Sequence, residues 1–318
     1  MPFLLCNRRV VMDRTPEFIQ KLGSIDCDIV EANPVVWKGE LLIFEYIRGY
    51  ANDKLHGTGR QRCYFNNSWI SYFRFRKVSD NTFSLPFGLG LHMGNAYVDG
   101  DRMVVTCGSD WGGSRFYQLE SKDLVRWTTP RLILDDPKQV GYNTSVCKAG
   151  DKFVMIYELG APKEKVGDHP FTMFFAESKD LVSWRAIDGA VFGFDHYTGG
   201  PMVRYFAGYY YVFYLGGSYE DGFETVVARS RDLKNWDYSK KIVLGYGEDD
   251  YKLHAVFPES EIPRLKAAKN INASDLDMCE FNGNLELVYS WGNQRGVEFL
   301  ARAVVPGMTE QQFCESFF

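Results

Sequence analysis

Hydrophobic and polar positions follow one another in short runs along most of the chain, and the apolar runs come in pairs. Five segments each consist of an apolar run, a turn containing glycine and a second apolar run: residues 33–47, 95–108, 143–158, 199–214 and 277–291. Two apolar runs joined in this way predict a β-hairpin. Helical periodicity is nearly absent, and its best candidate is residues 309–317. The pattern therefore predicts an all-β protein.

A second repeat separates the hairpins. The heptapeptide SKDLVRW at residues 121–127 returns as SKDLVSW at 178–184 and as SRDLKNW at 230–236. Its Asp can accept hydrogen bonds from the backbone N–H groups of a tight turn, and its Trp can fold back over the outer strands of a sheet. We interpret the heptapeptide as a structural turn between outer strands and not as a catalytic motif.

The spacing of the two repeats predicts the architecture. The hairpins recur at intervals of roughly 50 residues, which leaves room for outer strands after each one. Repeats of this length are typical of β-propellers. We therefore predict one domain, residues 1–318, built as a five-bladed β-propeller with four-stranded antiparallel blades. A two-sheet sandwich is the weaker alternative.

Composition and charge narrow the range of partners. Aromatic residues make up 16% of the chain, which suits β-structure and surfaces that stack on rings. The net charge of −5 gives no basic surface for nucleic acid, and no apolar run approaches the ~20 residues of a membrane-spanning helix. The seven cysteines are scattered, without a C-x-x-C pair, and the N-terminus does not read as a signal peptide. We expect a cytoplasmic protein with no nucleic-acid or membrane partner; its oligomeric state stays open.

The hairpins and heptapeptides together resemble the five-bladed propellers of glycoside hydrolase families 43 and 32. NPVVWKGELLIFEYI at residues 33–47 carries the resemblance, which covers the chain from about Glu31 to its end. It implies a carbohydrate substrate in a pocket at the propeller axis, where the inner strands begin, and three acidic residues there. The matching positions are Asn33, Asn143 and Gly199. None of them carries an acid, so the usual catalytic set is not matched.

Cleavage of a glycosidic bond needs two carboxylates, which we therefore seek elsewhere at the strand starts. Glu31, just ahead of the first inner strand, is the candidate base or nucleophile. Asp275 and Asp277 open the fifth inner strand, and their i,i+2 spacing predicts a shared face, where repulsion keeps one acid protonated. Asp195 and His196 precede the fourth inner strand and are candidates for the proton donor.

Other residues at the strand ends are candidates for binding the sugar. His92 occupies the place before the second inner strand that His196 occupies before the fourth. Arg48 and Arg295 can pair with a carboxylate. Aromatic rings can stack on a sugar, and the candidates are Trp111 and Trp291. The remaining candidates for substrate binding are Asn33, Asn95, Asn143 and Glu158.

Three functions are open on this evidence. The first is a glycoside hydrolase acting on a small saccharide or chain end. The second is a polysaccharide lyase, in which His92, His196 and Arg48 carry the reaction. The third is a carbohydrate-binding propeller without catalysis, which the absent acids favour. Motifs for zinc and nucleotides are missing, so we expect no cofactor, although carbonyl and Asn/Asp oxygens facing the axis are compatible with a structural calcium ion.

Overall fold

Antiparallel sheets account for most of the fold. The computed structural model describes residues 14–49, 70–169 and 171–318. Its first strand, β1 (Gln20–Cys27), joins the last sheet of the chain. The next sheet has three strands: β2 (Ala32–Trp37), β3 (Glu40–Ile47) and β4 (Tyr72–Lys77). In place of the predicted fourth strand, two isolated bridges pair β4 with Phe83 and Phe87.

The second and third sheets are four-stranded, as predicted, and each strand pairs with the next one along the chain. The second sheet consists of β5 (His92–Asp99), β6 (Arg102–Gly108), β7 (Arg115–Ser121) and β8 (Arg131–Asp135). The third sheet consists of β9 (Val140–Ala149), β10 (Lys152–Ala161), β11 (Thr172–Ser178) and β12 (Arg185–Phe192). Their first two strands are the predicted hairpins.

The last two groups of strands share one sheet. The fourth group consists of β13 (Met202–Phe206), β14 (Tyr209–Ser218), β15 (Gly222–Ser230) and β16 (Asp237–Tyr238). The fifth consists of β17 (Asn272–Phe281), β18 (Asn284–Gly292), β19 (Glu298–Pro306) and β1. A single parallel pair, Phe223 with Asn272, joins the two groups. Strand β1, which comes first in the chain, thus supplies the fourth strand of the fifth group, beside the last three strands of the chain.

Short helical segments occupy the connections. They are the α-helical turns Lys163–Val166, Ile262–Ala267 and Glu310–Glu315 and the 3-10 turns Glu248–Tyr251 and Glu259–Glu261. The helix Glu310–Glu315 begins after Thr309, whose hydroxyl accepts a hydrogen bond from the backbone N–H of Gln312, and it confirms the predicted helical turn. Among the described residues, no helix is long and apolar enough to cross a membrane.

The inner strands of the five groups surround one axis. Strand β2 contacts β5, β5 contacts β9, β9 contacts β13, β13 contacts β17, and β17 contacts β2 again. This closed ring confirms the predicted β-propeller, and the five groups correspond to the five predicted hairpins. That residues 1–318 form a single domain stays a prediction, because residues 1–13, 50–69 and 170 lie outside the described part of the chain.

Each heptapeptide forms the same tight turn. Oδ1 of Asp123 accepts hydrogen bonds from the backbone N–H groups of Val125 and Arg126, and Asp180 and Asp232 accept the equivalent pair in the other copies. The Leu of each copy has a positive φ, between +58° and +63°. These bonds offset the cost of that backbone conformation.

The Trp that ends each heptapeptide reaches the preceding sheet. Nε1 of Trp184 donates to Oε1 of Gln118 on β7, and Nε1 of Trp236 donates to a backbone carbonyl of β12. The ring of Trp127 stacks on Phe87 at 3.8 Å between centroids. The heptapeptide is therefore a structural element that ties neighbouring blades together.

The cysteines of the described residues are free thiols: Cys27, Cys107, Cys147, Cys279 and Cys314. Four of them are buried: Cys27, Cys107 and Cys147 on strands, and Cys314 on the helix Glu310–Glu315. The other two, Cys6 and Cys63, lie outside the described residues.

Candidate active site

A pocket, here called the axial pocket, opens at the end of the axis where the inner strands begin. It occupies about 120 Å³, many times the roughly 15 Å³ that one water molecule needs. Four carboxylates line it: Glu31, Glu158, Asp275 and Glu298. The other polar and aromatic side chains that line it are Arg48, Trp111, Tyr142, Asn143, Phe171, Tyr197 and Gln294.

β-Bulges near the start of three inner strands build this pocket. Regular pairing is interrupted at the start of β5, β9 and β17. Met93 and Asp275 lie at two of the interruptions, with φ of +49° and +52°, and both line the pocket. In β9, Tyr142 and Asn143 together lie opposite the single residue Glu158. Because a bulge redirects the side chains around it, these local irregularities bring the pocket residues together.

Glu158 is fully buried on β10. Its Oε2 accepts hydrogen bonds from the side-chain amide of Asn143 at 2.9 Å and from the Asn143 backbone N–H at 3.3 Å. Within the described part of the chain, its Oε1 has no hydrogen-bond partner. Burial, and then the negative charge of Asp275, raise the pKa of Glu158 to about 8, although Asn143 acts in the opposite direction. Glu158 therefore holds a proton at neutral pH.

Asp275, a half-buried residue of β17, brings a second acid into the pocket. Its Oδ2 accepts hydrogen bonds from the hydroxyls of Ser274 at 2.6 Å and Ser290 at 3.3 Å. Gly200 makes this approach feasible, since a Cβ on Gly200 would lie 2.6 Å from Oδ1 of Asp275. Burial, and then the charge of Glu31, raise the pKa of Asp275 to about 7. The two acids thus titrate near neutrality instead of near pH 4.

Glu31 has a cation beside it. The guanidinium of Arg48 lies 3.7 Å from the Glu31 carboxylate and 4.3 Å from the ring centre of Trp111. The Glu31 charge is one cause of the raised pKa of both Glu158 and Asp275. A guanidinium at this distance favours the charged form of a neighbouring carboxylate.

Aromatic side chains form one wall of the pocket. The rings of Tyr142 and Phe171 meet edge to face with centroids 5.0 Å apart, and those of Phe171 and Tyr197 do so at 5.9 Å. Phe171 has a φ of +68°, a conformation that bulky residues rarely adopt. Burial, and then the charges of Glu158 and Asp275, raise the pKa of Tyr197. Its hydroxyl therefore stays protonated and available for hydrogen bonding.

Six of the predicted site residues come together in this pocket: Glu31, Arg48, Trp111, Asn143, Glu158 and Asp275. Gly199, where the family resemblance implied an acid, also lines it. A Cβ on Gly199 would meet its nearest neighbours at 3.8 Å and 3.9 Å, so the space for a side chain there is open. The carboxylates of the pocket therefore come from positions other than those implied by the resemblance.

The structure corrects the prediction that Asp277 shares a face of the strand with Asp275. The bulge in β17 falls between Ser274 and Asp277, which breaks the simple alternation. Oδ1 of Asp277 accepts a hydrogen bond from Arg204 at 2.6 Å, and its Oδ2 accepts one from Nδ2 of Asn95 at 3.1 Å. Asp277 and Asn95 therefore lie deeper along the axis, outside the axial pocket.

A second cavity of about 250 Å³ follows further along the inner strands, and Asn33 lines it. The side-chain amide of Asn33 is occupied, because it donates to the carbonyl and accepts from the N–H of Ala96. Asn33 therefore lies outside the axial pocket, and its contact with a substrate stays a prediction. Within the described part of the chain, no group of three or more His, Cys, Asp or Glu side chains is placed to hold a metal ion.

Asp195 and His196 lie outside the axial pocket. Nδ1 of His196 is 2.8 Å from Oδ1 of Asp195, and the imidazole ring meets Phe192 and Tyr214 edge to face. The Asp195 side chain is 83% exposed. Neither residue lines the pocket with Glu158 and Asp275, so the geometry does not support their predicted role as proton donor, which stays a prediction.

Three further predicted binding residues also lie elsewhere. His92 is buried. Its Nδ1 lies 2.6 Å from the hydroxyl of Tyr46, and its Nε2 lies 3.1 Å from the hydroxyl of Ser71. Trp291 is fully buried, so no face of its ring is free for a sugar. Arg295 does not line the pocket but follows Gln294, which does.

Five pocket residues escaped the sequence reasoning: Tyr142, Phe171, Tyr197, Gln294 and Glu298. Three of them directly adjoin residues that had been considered, since Tyr142 precedes Asn143 and Tyr197 follows His196. Gln294 similarly precedes Arg295. The hairpin pattern located the right segments, but only Tyr142 lies at a bulge; Tyr197 and Gln294 lie in connections between strands, where alternation gives no guide.

Comparison with known proteins identifies the architecture. No family model and no curated protein sequence matches the chain. A β-1,2-mannobiose phosphorylase from Listeria innocua, in complex with β-1,2-mannobiose, is similar in structure, with a TM-score of 0.57, 13% identity and coverage of 95% of this chain and 94% of that one. A thermostable family-43 glycoside hydrolase has a TM-score of 0.55 and 13% identity, with coverage of 88% and 90%.

The α-L-arabinofuranosidase of Podospora anserina, in complex with cellotriose, has a TM-score of 0.57 and 8% identity, with coverage of 90% of this chain and 91% of that one. At such low identities, these likenesses show a shared fold and not a shared reaction. They confirm the resemblance to glycoside hydrolase propellers that the repeats predicted.

Proposed function

We propose that this protein is a glycoside hydrolase-like enzyme that cleaves a small saccharide or a chain end in the axial pocket. The observation that carries the proposal is Glu158, a buried acid with a pKa of about 8, in one pocket with Glu31 and Asp275. Glycosidic bond cleavage needs one carboxylic acid that protonates the leaving oxygen and one carboxylate that activates water or attacks. The fold shared with proteins that act on saccharides supports a carbohydrate substrate.

Glu158 is the proton donor in this proposal. It is protonated at neutral pH, and its Oε1 is the buried oxygen without a partner among the described residues. An incoming glycosidic oxygen would accept a hydrogen bond from it and then its proton. An acid whose pKa lies near the working pH suits this task.

Glu31 is the base or nucleophile, because Arg48 holds a positive charge beside it. Asp275 acts through Glu158: once it ionises, at about pH 7, its charge keeps the neighbouring acid protonated. Asp275 is therefore a positioning residue that sets the protonation of the pocket, as in other sites where neighbouring acids separate into two roles.

The alternatives have weaker support. A lyase that uses His92 or His196 as its base would need an imidazole in the pocket, and neither residue lines it. A non-catalytic binder has no need of two neighbouring carboxylates whose ionisation is this unfavourable, and groups with strongly shifted pKa values cluster at catalytic sites. Because one structural neighbour is a phosphorylase, phosphate is an acceptor to be tested beside water.

The test is turnover of a panel of aryl glycosides and oligosaccharides, including β-1,2-mannobiose and cellotriose, with and without inorganic phosphate. We expect the parent to cleave at least one of them, and Glu158→Gln to lose far more activity with a sugar leaving group than with dinitrophenolate, which leaves without a proton. Glu177→Gln, on β11 of the same blade and paired with Lys152, is the matched control. Absence of cleavage with either acceptor, or full activity of Glu158→Gln, contradicts the proposal.

A further inference from the structure

The aromatic wall of the axial pocket continues outward to the protein surface. Tyr197 contacts Phe223 with centroids 5.6 Å apart, and Phe223 contacts Tyr219 at 5.1 Å. Tyr219 is 56% exposed, a large exposed fraction for an aromatic side chain. The exposed ring of Tyr219 is thus connected through Phe223 to the ring of Tyr197, which lines the pocket.

Two turns meet at this exposed ring. The Tyr219 hydroxyl donates a hydrogen bond to the backbone carbonyl of Gln294 at 3.3 Å, and the Arg295 guanidinium lies 4.6 Å from the ring centre. Gln294 itself lines the axial pocket. Tyr219, Gln294 and Arg295 therefore form one continuous surface with the pocket, here called the ledge.

The ledge is ordered before any ligand arrives. Oδ1 of Asn293 accepts hydrogen bonds from the backbone N–H groups of Arg295 at 2.8 Å and Val297 at 3.1 Å. On the other turn, the hydroxyl of Ser218 donates to Asp221 at 3.0 Å. A braced surface loses less conformational entropy on binding than a mobile one.

The other end of the pocket is too narrow to take a second sugar. Beyond Glu31 and Asp275 the axis contracts to a space of about 30 Å³, enough for about two water molecules. A saccharide whose terminal unit fills the pocket must therefore extend outward, and the ledge lies on that outward path.

We propose that the ledge is a second sugar subsite, which holds the unit on the leaving-group side of the bond to be cleaved. The C–H face of a sugar packs on the Tyr219 ring, and the guanidinium of Arg295 donates hydrogen bonds to its hydroxyls. The inference rests on the proposed function and narrows it to saccharides of at least two units. Binding energy from this outer unit helps to position the bond at Glu158.

The experiment compares Tyr219→Ala and Tyr219→Phe with the parent on two substrates. One is the disaccharide that the panel shows to be cleaved fastest, and the other is the glycosyl fluoride of its terminal sugar, which fills the axial pocket alone. We expect Tyr219→Ala to lower kcat/KM about tenfold for the disaccharide and to leave the value for the fluoride within about twofold. Tyr219→Phe keeps the ring and should match the parent on both substrates.

A selective loss with the disaccharide supports the subsite. An equal loss on both substrates, or no loss on either, overturns it while the proposed function stands. If the parent turns over neither substrate, the proposed function itself has failed, and the subsite fails with it. Thermal unfolding of each variant shows whether the protein remains folded.

Discussion

The two ends of the propeller axis hold buried carboxylates in opposite electrostatic settings. At the far end, the guanidinium of Arg204 donates to Asp277 and to Glu310, each at 2.6 Å. Burial raises the pKa of Glu310, and Arg204 opposes that change. In the axial pocket, Glu158 has one buried oxygen without a partner in the described residues, and another acid, Asp275, close enough to raise its pKa.

The difference separates a structural cluster from a reactive one. A buried carboxylate that shares a guanidinium is compensated, and it gives the blades a fixed packing. Buried acids that mainly meet one another are not compensated, and they hold protons that a substrate can take. Asp275 and Asp277 are two residues apart on one strand, yet Asp275 belongs to the cluster in the axial pocket and Asp277 to the cluster around Arg204.

The largest expected effect is the loss of activity in Glu31→Gln. We predict that kcat falls by roughly 10²–10⁴-fold, because the amide can neither accept a proton nor attack. Glu31→Ala leaves room where the carboxylate was, and added azide should restore part of the rate of that variant by replacing the missing carboxylate. Asp277→Asn is the counterpart at the other end, and it should keep the kcat of the parent per folded molecule. Activity of Glu31→Gln near that of the parent would remove Glu31 from the mechanism.

The next effect is on stability. Arg204→Met leaves Asp277 and Glu310 buried without their shared cation, so we predict a loss of about 3–5 kcal/mol in the free energy of unfolding. Urea denaturation at pH 7 measures it. Glu158→Gln should show no such loss, since it removes a carboxyl that has no cationic partner. Equal stability of Arg204→Met and the parent would mean that the far cluster is not the compensated one.

The stability of Glu158→Gln relative to the parent should depend on pH. In the folded parent, Glu158 keeps its proton up to about pH 8, whereas the unfolded chain releases it near the ordinary glutamate pKa of about 4.3. The native state therefore binds more protons over this interval, and the parent loses stability as the pH rises through it.

The Gln variant lacks that loss. We predict that its advantage in the free energy of unfolding grows from about zero at pH 4 to at most about 5 kcal/mol near pH 8. Parallel urea titrations of the two proteins across this range measure it. A constant difference between them would contradict the shifted pKa.

The smallest effect is on the pH profile of kcat/KM. Activity should decline above about pH 8, where Glu158 loses its proton. Asp275→Asn removes a neighbouring negative charge, which lowers the pKa of Glu158, so the alkaline limb should move down by on the order of one pH unit. A variant that lost rate without moving this limb would show that Asp275 acts in some way other than through Glu158.

The sequence was a good guide to the architecture and a partial one to the site. Hairpin patterns and heptapeptide copies specify local structure directly, since each copy carries its own turn chemistry, as Asp123 and Asp180 show. Counting the repeats could therefore predict the propeller fold without any knowledge of contacts between residues that are distant in the sequence. The three-stranded first sheet was not foreseen, because a fourth strand reduced to isolated bridges leaves no alternating pattern.

Residues such as Glu31 and Asp275 were found because they lie where inner strands begin. Asp277 and Asp195 were misplaced for physical reasons that one sequence does not reveal. The alternation rule fails at the bulge in β17, and the Asp195 side chain is largely exposed outside the axial pocket although Tyr197, two residues further on, lines it. Glu158 was expected to bind substrate, and the proposal that it is the acid rests on its burial and its neighbours, which one sequence does not show.

The central claim is that Glu158 is protonated at neutral pH. It is tested most directly by a carbon-13 NMR titration of protein labelled at the glutamate side-chain carboxyl, with the Glu158 resonance assigned by its absence from Glu158→Gln. We predict a titration midpoint at about pH 8. A midpoint near the ordinary glutamate value, about 4.3, would contradict the account, because the axial pocket would then contain no proton donor at neutral pH.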